Sequence, residues 1–171
     1  MELIIEKAKT SQAEEILNCI RQATMESNNL VVSTENLRDY TVTEEKFLIE
    51  GYRRSKTGLM LVGIVDEKIV SVGTLKGNSL QSKAGHRVTL GVFVLKDYWN
   101  MGIGRQMITA MLDYSVENPY IEIVDLDVRA DNLGAISLYE RFGFENIGIY
   151  KDYFKDEDGS YEDAILMALY L

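Results

Sequence analysis

Cysteine, histidine, proline and tryptophan each occur only once in this chain of 171 residues. A lone Cys19 can form neither an internal disulfide nor a thiolate zinc site, and a lone His86 removes most metal-ligand schemes, so no metal is expected. With Pro119 the only proline and no Gly/Ser-rich stretch, no linker is visible, and residues 1–171 are expected to form one domain. No apolar run approaches the ~18–20 residues needed to span a bilayer. The start, Met1 to Lys9, lacks the charged and then long apolar regions of a signal peptide. Those two absences set the expectation of a cytoplasmic protein with no membrane partner. Cations are also scarce: 18 Lys and Arg stand against 27 Asp and Glu, a net charge of −9. Without a basic cluster, nucleic acid is not an expected partner.

What the chain does contain is 46% hydrophobic residues in regular patterns. Leu3 to Ile5 reads as a strand. Ser11 and Glu14 have the spacing of a capping box, followed by Ala13, Ile16, Leu17 and Ile20 on one helical face. Residues 26–42 read as irregular, and a second helix from about Thr43 is expected to carry Phe47, Leu48, Gly51 and Tyr52. The runs 59–65 and 69–75, joined by Asp66-Glu67-Lys68, predict a hairpin. Val88 to Leu95, almost continuously apolar, predicts a strand buried on both faces. A helix through Ile103, Met107, Ile108, Met111 and Leu112 follows, then a strand over 121–128. Ala135, Leu138, Tyr139 and Phe142 mark a helix stopped by Gly143. Two strands, 144–153 and 164–171, close the chain around the turn Asp156 to Gly159. The fold class is α/β, a mixed sheet of about seven strands flanked by about four helices, with local parallel pairing in the second half.

The chemistry concentrates after the strand 88–95. There Trp99-Asn100-Met101-Gly102-Ile103-Gly104-Arg105 runs from a loop into a helix. Unpaired N–H groups in the first turn of a helix favour an anion such as a pyrophosphate, and Arg105 adds a full charge. A Rossmann fingerprint needs glycine where Met107 stands, and a Walker loop needs Lys-Ser/Thr where Arg105-Gln106 stand, so both fail. Some thirty residues on comes Asn132-Leu133-Gly134-Ala135-Ile136-Ser137-Leu138-Tyr139-Glu140-Arg141-Phe142-Gly143-Phe144. Together the two segments resemble the GNAT superfamily of acetyl-CoA-dependent N-acetyltransferases. The glycine loop matches Gln/Arg-x-x-Gly-x-Gly/Ala except that Trp99 replaces Gln/Arg. The second segment matches Asn-x-x-Ala-x-x-Leu-Tyr-x-x-x-Gly-Phe throughout.

That resemblance implies acetyl-CoA as co-substrate. It implies a pantetheine arm paired to the strand 88–95 through Phe93 and Val94, and a pyrophosphate on Asn100, Met101, Gly102, Ile103, Gly104 and Arg105. Asn132 is also expected at the cofactor. Tyr139, which falls on a core position of its helix, matches the acid that protonates the leaving thiolate. His86 is a candidate base or substrate contact; Asp125 and Asp127 lie on the neighbouring strand, on a face that periodicity leaves open. The acceptor is expected against Glu26, Asn28, Asn29 and Tyr40, the 76–87 loop, and Tyr150, Tyr153 and Tyr161. The leading expectation is transfer to a small-molecule primary amine in a ternary complex. The alternatives are a protein or peptide N-terminus or lysine as acceptor, and a non-catalytic CoA-binding module. A homodimer fits the resemblance.

Overall fold

The apolar runs become a seven-stranded mixed sheet in a computed structural model that describes residues 2–171. The strands are β1 (Ile4–Lys7), β2 (Leu59–Val65), β3 (Lys68–Gly77), β4 (Arg87–Val94), β5 (Ile123–Arg129), β6 (Glu145–Lys155) and β7 (Tyr161–Tyr170). Their order across the sheet is β1-β2-β3-β4-β5-β7-β6. Every pairing is antiparallel except β4 with β5. The helices are α1 (Ala13–Glu26), α2 (Val42–Arg54), α3 (Ile103–Glu117) and α4 (Leu133–Arg141). The expected architecture is present in full.

Alternation along β3 assigns the two faces. Gly73 lies under α3, where an added Cβ would meet Met111 Sδ at 2.9 Å; glycine is what allows that helix to sit so close. Thr74, pointing the other way, lies beside the Tyr52 hydroxyl of α2. The core is continuous through both layers and includes Ile16, Ile49, Leu75, Met107, Ile108 and Met111, all essentially inaccessible.

Three local readings are corrected, and one capping box is added. The Ser11/Glu14 box does not form: Thr10–Gln12 is a 3-10 turn, and Lys9 N–H donates to Gln12 Oε1 at 2.9 Å before α1 begins at Ala13. The capping box that does form is Thr41/Glu44. Glu44 N–H donates to Thr41 Oγ1 at 3.2 Å, and Thr41 N–H donates to Glu44 Oε2 at 2.7 Å. On α2 the inward face is Glu45, Ile49 and Tyr52, while Phe47 is 75% exposed and Leu48 44% exposed. Finally, β4 is not covered on both faces. Val88 and Leu90 are buried under α3, whereas Thr89 and Gly91 on the other face are exposed, because neither α1 nor α2 extends over them.

Two extra features shape the far edge. The Arg129 guanidinium, 5% exposed, donates to both carboxylate oxygens of Asp156 at 2.8 and 3.0 Å and to those of Asp131 at 3.1 and 3.2 Å. It thereby ties the β6–β7 hairpin to the segment leading into α4. Between Tyr150, opposite Ala164, and Phe154, opposite Glu162, β6 advances four residues against two on β7. This two-residue bulge carries Asp152 at φ 52°, its N–H donating to Asp163 Oδ1 at 2.8 Å.

One core residue is under electrostatic tension. Glu45 is 1% exposed, and its Oε1 is the one fully buried side-chain polar atom without a hydrogen-bond partner among the described residues. Burial pushes its carboxyl above the ordinary 4.5, and the nearby Tyr40 phenol opposes that only in part. The unfolded chain therefore ionises Glu45 at lower pH than the folded one, and stability falls as pH rises from about 4.5 through the folded-state value. Melting temperatures measured across pH 4–8 should show this loss in the wild type, and Glu45→Gln should remove that component.

Candidate active site

Only three residue pairs join β4 to β5: Arg87 with Ile123, Val88 with Val124, and Thr89 with Asp125. Beyond Thr89 the strands part, β4 remaining on β3 and β5 on β7. Which backbone groups of β4 line this opening follows from alternation. Leu95 N–H donates to Val70 O at 2.9 Å, so the odd residues, Phe93 among them, direct their N–H and C=O to β3. His86 O accepts from Glu122 N–H at 2.9 Å, so the even residues direct theirs towards β5. Val92 and Val94 therefore present their backbone polar groups to the opening.

At the end of β4 the chain turns through a short 3-10 segment, Lys96–Tyr98, into the glycine loop. Asn100 adopts φ 60° and Gly102 φ 79°, the left-handed region that glycine enters freely and asparagine more readily than most. Gly102 is the N-cap of α3, and the first backbone bond of that helix is Gln106 N–H to Gly102 O at 3.1 Å. The N–H groups of Ile103, Gly104 and Arg105 are thus without an intrahelical acceptor. Arg105 is exposed and enters no ion pair among the described residues.

Across the opening stand three side chains. Tyr139 of α4 is 8% exposed and packs edge-to-face on Phe144, ring centroids 5.7 Å apart. The helix ends just beyond it with Gly143 at φ 91°, and Phe144 N–H returns to Tyr139 O at 3.1 Å, which fixes the aromatic pair. Burial, and then the charge of Asp127, push the Tyr139 phenol up to about 12. Asp127 lies on β5, two residues past Asp125, on the face that carries Thr89 and Gly91. Asp125 is engaged by Arg87 Nε at 3.0 Å and Thr89 Oγ1 at 2.8 Å. No side chain donates to Asp127 among the described residues, and burial, with the nearby Asp125 charge, raises its carboxyl above the ordinary 3.8. The bulge in β6 brings Tyr153 to the same place: the Asp127 charge is the main cause of its raised phenol pKa. Tyr153 stacks on Tyr150 at 5.5 Å.

A half-buried carboxylate between two phenols, beside an open strand edge that leads to an anion-ready helix start, fits acyl transfer to an amine. The acetyltransferase (GNAT) family matches residues 31–144. This chain belongs to that family. Like its relatives, this GNAT protein is an acyltransferase. It is 29% identical over 165 residues to an N-alpha-acetyltransferase of Sulfurisphaera tokodaii, covering 96% of this chain and 90% of that one. It is 41% identical over 73 residues to the [Ribosomal protein bS18]-alanine N-acetyltransferase of Escherichia coli K12, covering 43% and 48%. A GNAT acetyltransferase of Streptococcus pneumoniae shares the fold at a TM-score of 0.94, with 20% identity over 99% of this chain and 100% of that one. The protein yncA of Salmonella typhimurium, solved with its cofactor acetyl-CoA, superposes at 0.85, with 15% identity over 99% and 94%.

Within this GNAT scaffold the expected residues separate into groups. Met101, Gly102, Gly104 and Arg105 gather at the start of α3, while Ile103 sends its side chain into the core at 1% exposure and offers only its N–H. Phe93 has its backbone turned to β3, and its O accepts Ser71 Oγ at 2.6 Å; of the expected pair only Val94 faces the opening, and Val92, which was not expected there, faces it too. Strand alternation could have found Val92 once the neighbour of β4 was known. Asn132 caps α4, its Oδ1 accepting Ala135 N–H at 3.2 Å. His86 stays at the joined end of β4 and β5. From its level, beside Glu122, to Asp127 is about 16 Å along the strand at ~3.3 Å per residue, so it is not part of the Tyr139 group. Glu26 is not free for an acceptor: its Oε1 takes Gln22 Nε2 and its Oε2 the Lys96 N–H, each at 2.7 Å. Tyr40 turns inwards towards Glu45. Cys19 is buried, its thiol pushed up to about 12, and stays protonated. Among the described residues no helix is long and apolar enough to cross a membrane.

The two glycines of the loop differ in what they permit. A Cβ on Gly104 would meet Val94 Cγ2 at 3.7 Å and Leu138 Cδ2 at 3.9 Å, ordinary contacts. At Gly102 the space is open, but the left-handed backbone penalises any side chain. Gly102→Ala should cost about 1–2 kcal/mol of stability and weaken CoA binding. Gly104→Ala should keep both, gaining up to about 1 kcal/mol from helix propensity. Thermal melts and calorimetric titration with CoA check the pair.

Proposed function

We propose that this chain transfers the acetyl group of acetyl-CoA to the N-terminal α-amine of a protein, with Asp127 as the proton acceptor and Tyr139 as the proton donor. The carrying observation is the Asp127 carboxylate, half-buried, without a side-chain donor among the described residues, and close to Tyr139 and Tyr153 at the mouth of the β4–β5 opening. The groups present fit acetyl-CoA. Val92 and the Val94 N–H offer an unpaired strand edge to the pantetheine amides, the Val94 O being taken by the Trp99 indole. The N–H groups of residues 103–105 and the Arg105 guanidinium suit a pyrophosphate. Acetyl-CoA, when bound, supplies a thioester whose carbonyl carbon takes the amine lone pair and whose sulfur leaves as thiolate.

The acceptor arrives largely as an ammonium ion and must lose a proton before it can attack. A carboxylate whose pKa is raised by burial is a stronger base than a solvated one. It is better matched to a terminal α-amine, with a pKa of about 7.7–8.0, than to a lysine or polyamine nearer 10. Tyr139, held near 12, keeps its proton at neutral pH and can pass it to the departing sulfur. Tyr150, Tyr153 and Tyr161 stand 44–55% exposed, an open aromatic rim suited to a polypeptide. The relative aligned over 96% of this chain carries the name N-alpha-acetyltransferase, which supports the same acceptor class in place of the small amine expected from sequence.

Release of CoA thiol should be followed with peptides bearing free N-termini, with polyamines and with amino acids. Peptides should exceed the small amines in kcat/KM by about tenfold or more, corresponding to at least about 1.4 kcal/mol of selectivity. The reverse order would return the reading to a small-molecule amine. Asp127→Asn should lower kcat by about 10²–10⁴ and abolish the rise of activity with pH through the Asp127 pKa. Tyr139→Phe should slow turnover by about tenfold or more while leaving CoA affinity unchanged. An unchanged rate in either variant would remove that residue from the mechanism.

A further inference from the structure

Trp99 occupies the position where the family loop carries Gln or Arg, and nothing in the proposed chemistry uses it. Its indole Nε1–H donates to Val94 O at 2.6 Å. Val94 is the last residue of β4 and one of the two whose backbone groups face the opening. The bond therefore joins the end of the strand to the loop, five residues on, just before the left-handed Asn100 and Gly102.

The intervening turn is held from other sides as well. Leu95 N–H is fixed on Val70 O, and Lys96 N–H on Glu26 Oε2 at 2.7 Å; Tyr98 N–H and Trp99 N–H return to Leu95 O and Lys96 O at 2.9 and 3.1 Å. The indole bond is the one side-chain contact among these that reaches the opening itself. A Gln or Arg at this place would offer polar hydrogens to a phosphate. An indole offers a single N–H, and here that hydrogen is already committed to the protein.

We propose that Trp99 is a positioning residue for the cofactor: it acts through Val94 O, holding the glycine loop against the end of β4, and makes no charge contact with the pyrophosphate. The inference rests on the acetyl-CoA reading above. In consequence the side-chain charge for the phosphates falls to Arg105, and the aim of the 103–105 N–H groups depends on the indole bond. Rigid support of this kind preserves affinity because the loop is ordered before the ligand arrives.

Tryptophan occurs once, so the protein has a single indole N–H signal in a nitrogen–proton correlation spectrum. That signal should exchange slowly with water in the free protein and shift on titration with CoA, saturating with the calorimetric isotherm. Trp99→Phe keeps an aromatic ring and removes the donor. It should melt at the wild-type temperature, bind CoA about tenfold more weakly, and raise KM for acetyl-CoA while leaving kcat at saturation unchanged. Its salt dependence of CoA binding should match the wild type, whereas Arg105→Gln should flatten that dependence. Wild-type affinity in Trp99→Phe, or an indole hydrogen that exchanges freely, would overturn the proposal. A flattened salt dependence in Trp99→Phe would overturn it too, by assigning the indole to the phosphates. Wild-type protein that binds no CoA would instead defeat the acetyl-CoA reading and leave the indole bond to be judged by its exchange rate alone.

Discussion

The parting of β4 and β5 after three residue pairs is the constraint on which the site depends. A parallel pair that stops pairing in mid-sheet leaves N–H and C=O groups without partners, a cost that folded proteins seldom accept. Here the cost is confined to the opening, because each strand keeps its other neighbour: β4 is bonded to β3 along its whole length and β5 to β7. The unpaired edge is therefore rigid, and its spare hydrogen-bonding capacity is available to a ligand with amides spaced like those of a peptide. The same divergence admits Tyr139 from one side of the sheet and leaves Thr89, Gly91 and Asp127 accessible on the other.

The charges around that opening are arranged by environment more than by number. A net charge of −9 suggests a surface hostile to a phosphate-bearing ligand, yet the anion end of the site needs only the start of α3 and one guanidinium. At the amine end, two aspartates two residues apart have different fates. Asp125 is ion-paired with Arg87 and hydrogen-bonded by Thr89, while Asp127 has no side-chain donor among the described residues and a pKa raised first by burial. Burial raises both groups, and charge adds to it: Asp127 raises the Tyr139 phenol further, and Asp125 raises Asp127. Separation of acid and base by surroundings in this way is a recurring means of running proton transfer near neutrality.

The sheet, the four helices and the glycine loop could be read from periodicity and from two motifs, because those features are local. Tyr139 was found through its motif although its helical position said only that it is buried. Asp127 is visible in the sequence as a residue, but not its place beside the opening. That place depends on which face of β5 meets the open side of β4, and it is decided by the Thr89–Asp125 pairing, thirty-six residues apart. Phe93 and Val94 were expected together for lack of the same information. Only the Leu95–Val70 bond separates the residue facing β3 from the one facing the opening. Glu45 and Phe47 show the converse error. Hydropathy places the phenylalanine inside and the glutamate out, and tertiary packing of α2 reverses both. The Thr41/Glu44 and Ser11/Glu14 pairs have the same capping-box spacing, and only the 3-10 turn at Thr10–Gln12 decides that the first forms and the second does not.

The two-residue bulge in β6 has a consequence for how this scaffold can diversify. Because the excess residues lie between Tyr150 and Phe154, the register of β7 on β5 is indifferent to them, and the Arg129 clamp on Asp156 fixes the chain again immediately beyond. Lys151, Asp152 and Tyr153 thus form a lip over a frame whose register does not depend on them. Changing the length or side chains of that lip would alter the surroundings of Asp127, through Tyr153, without shifting the strands that carry Asp127 and Val94. The rim of the opening can thus vary in shape while the frame beneath it keeps its register.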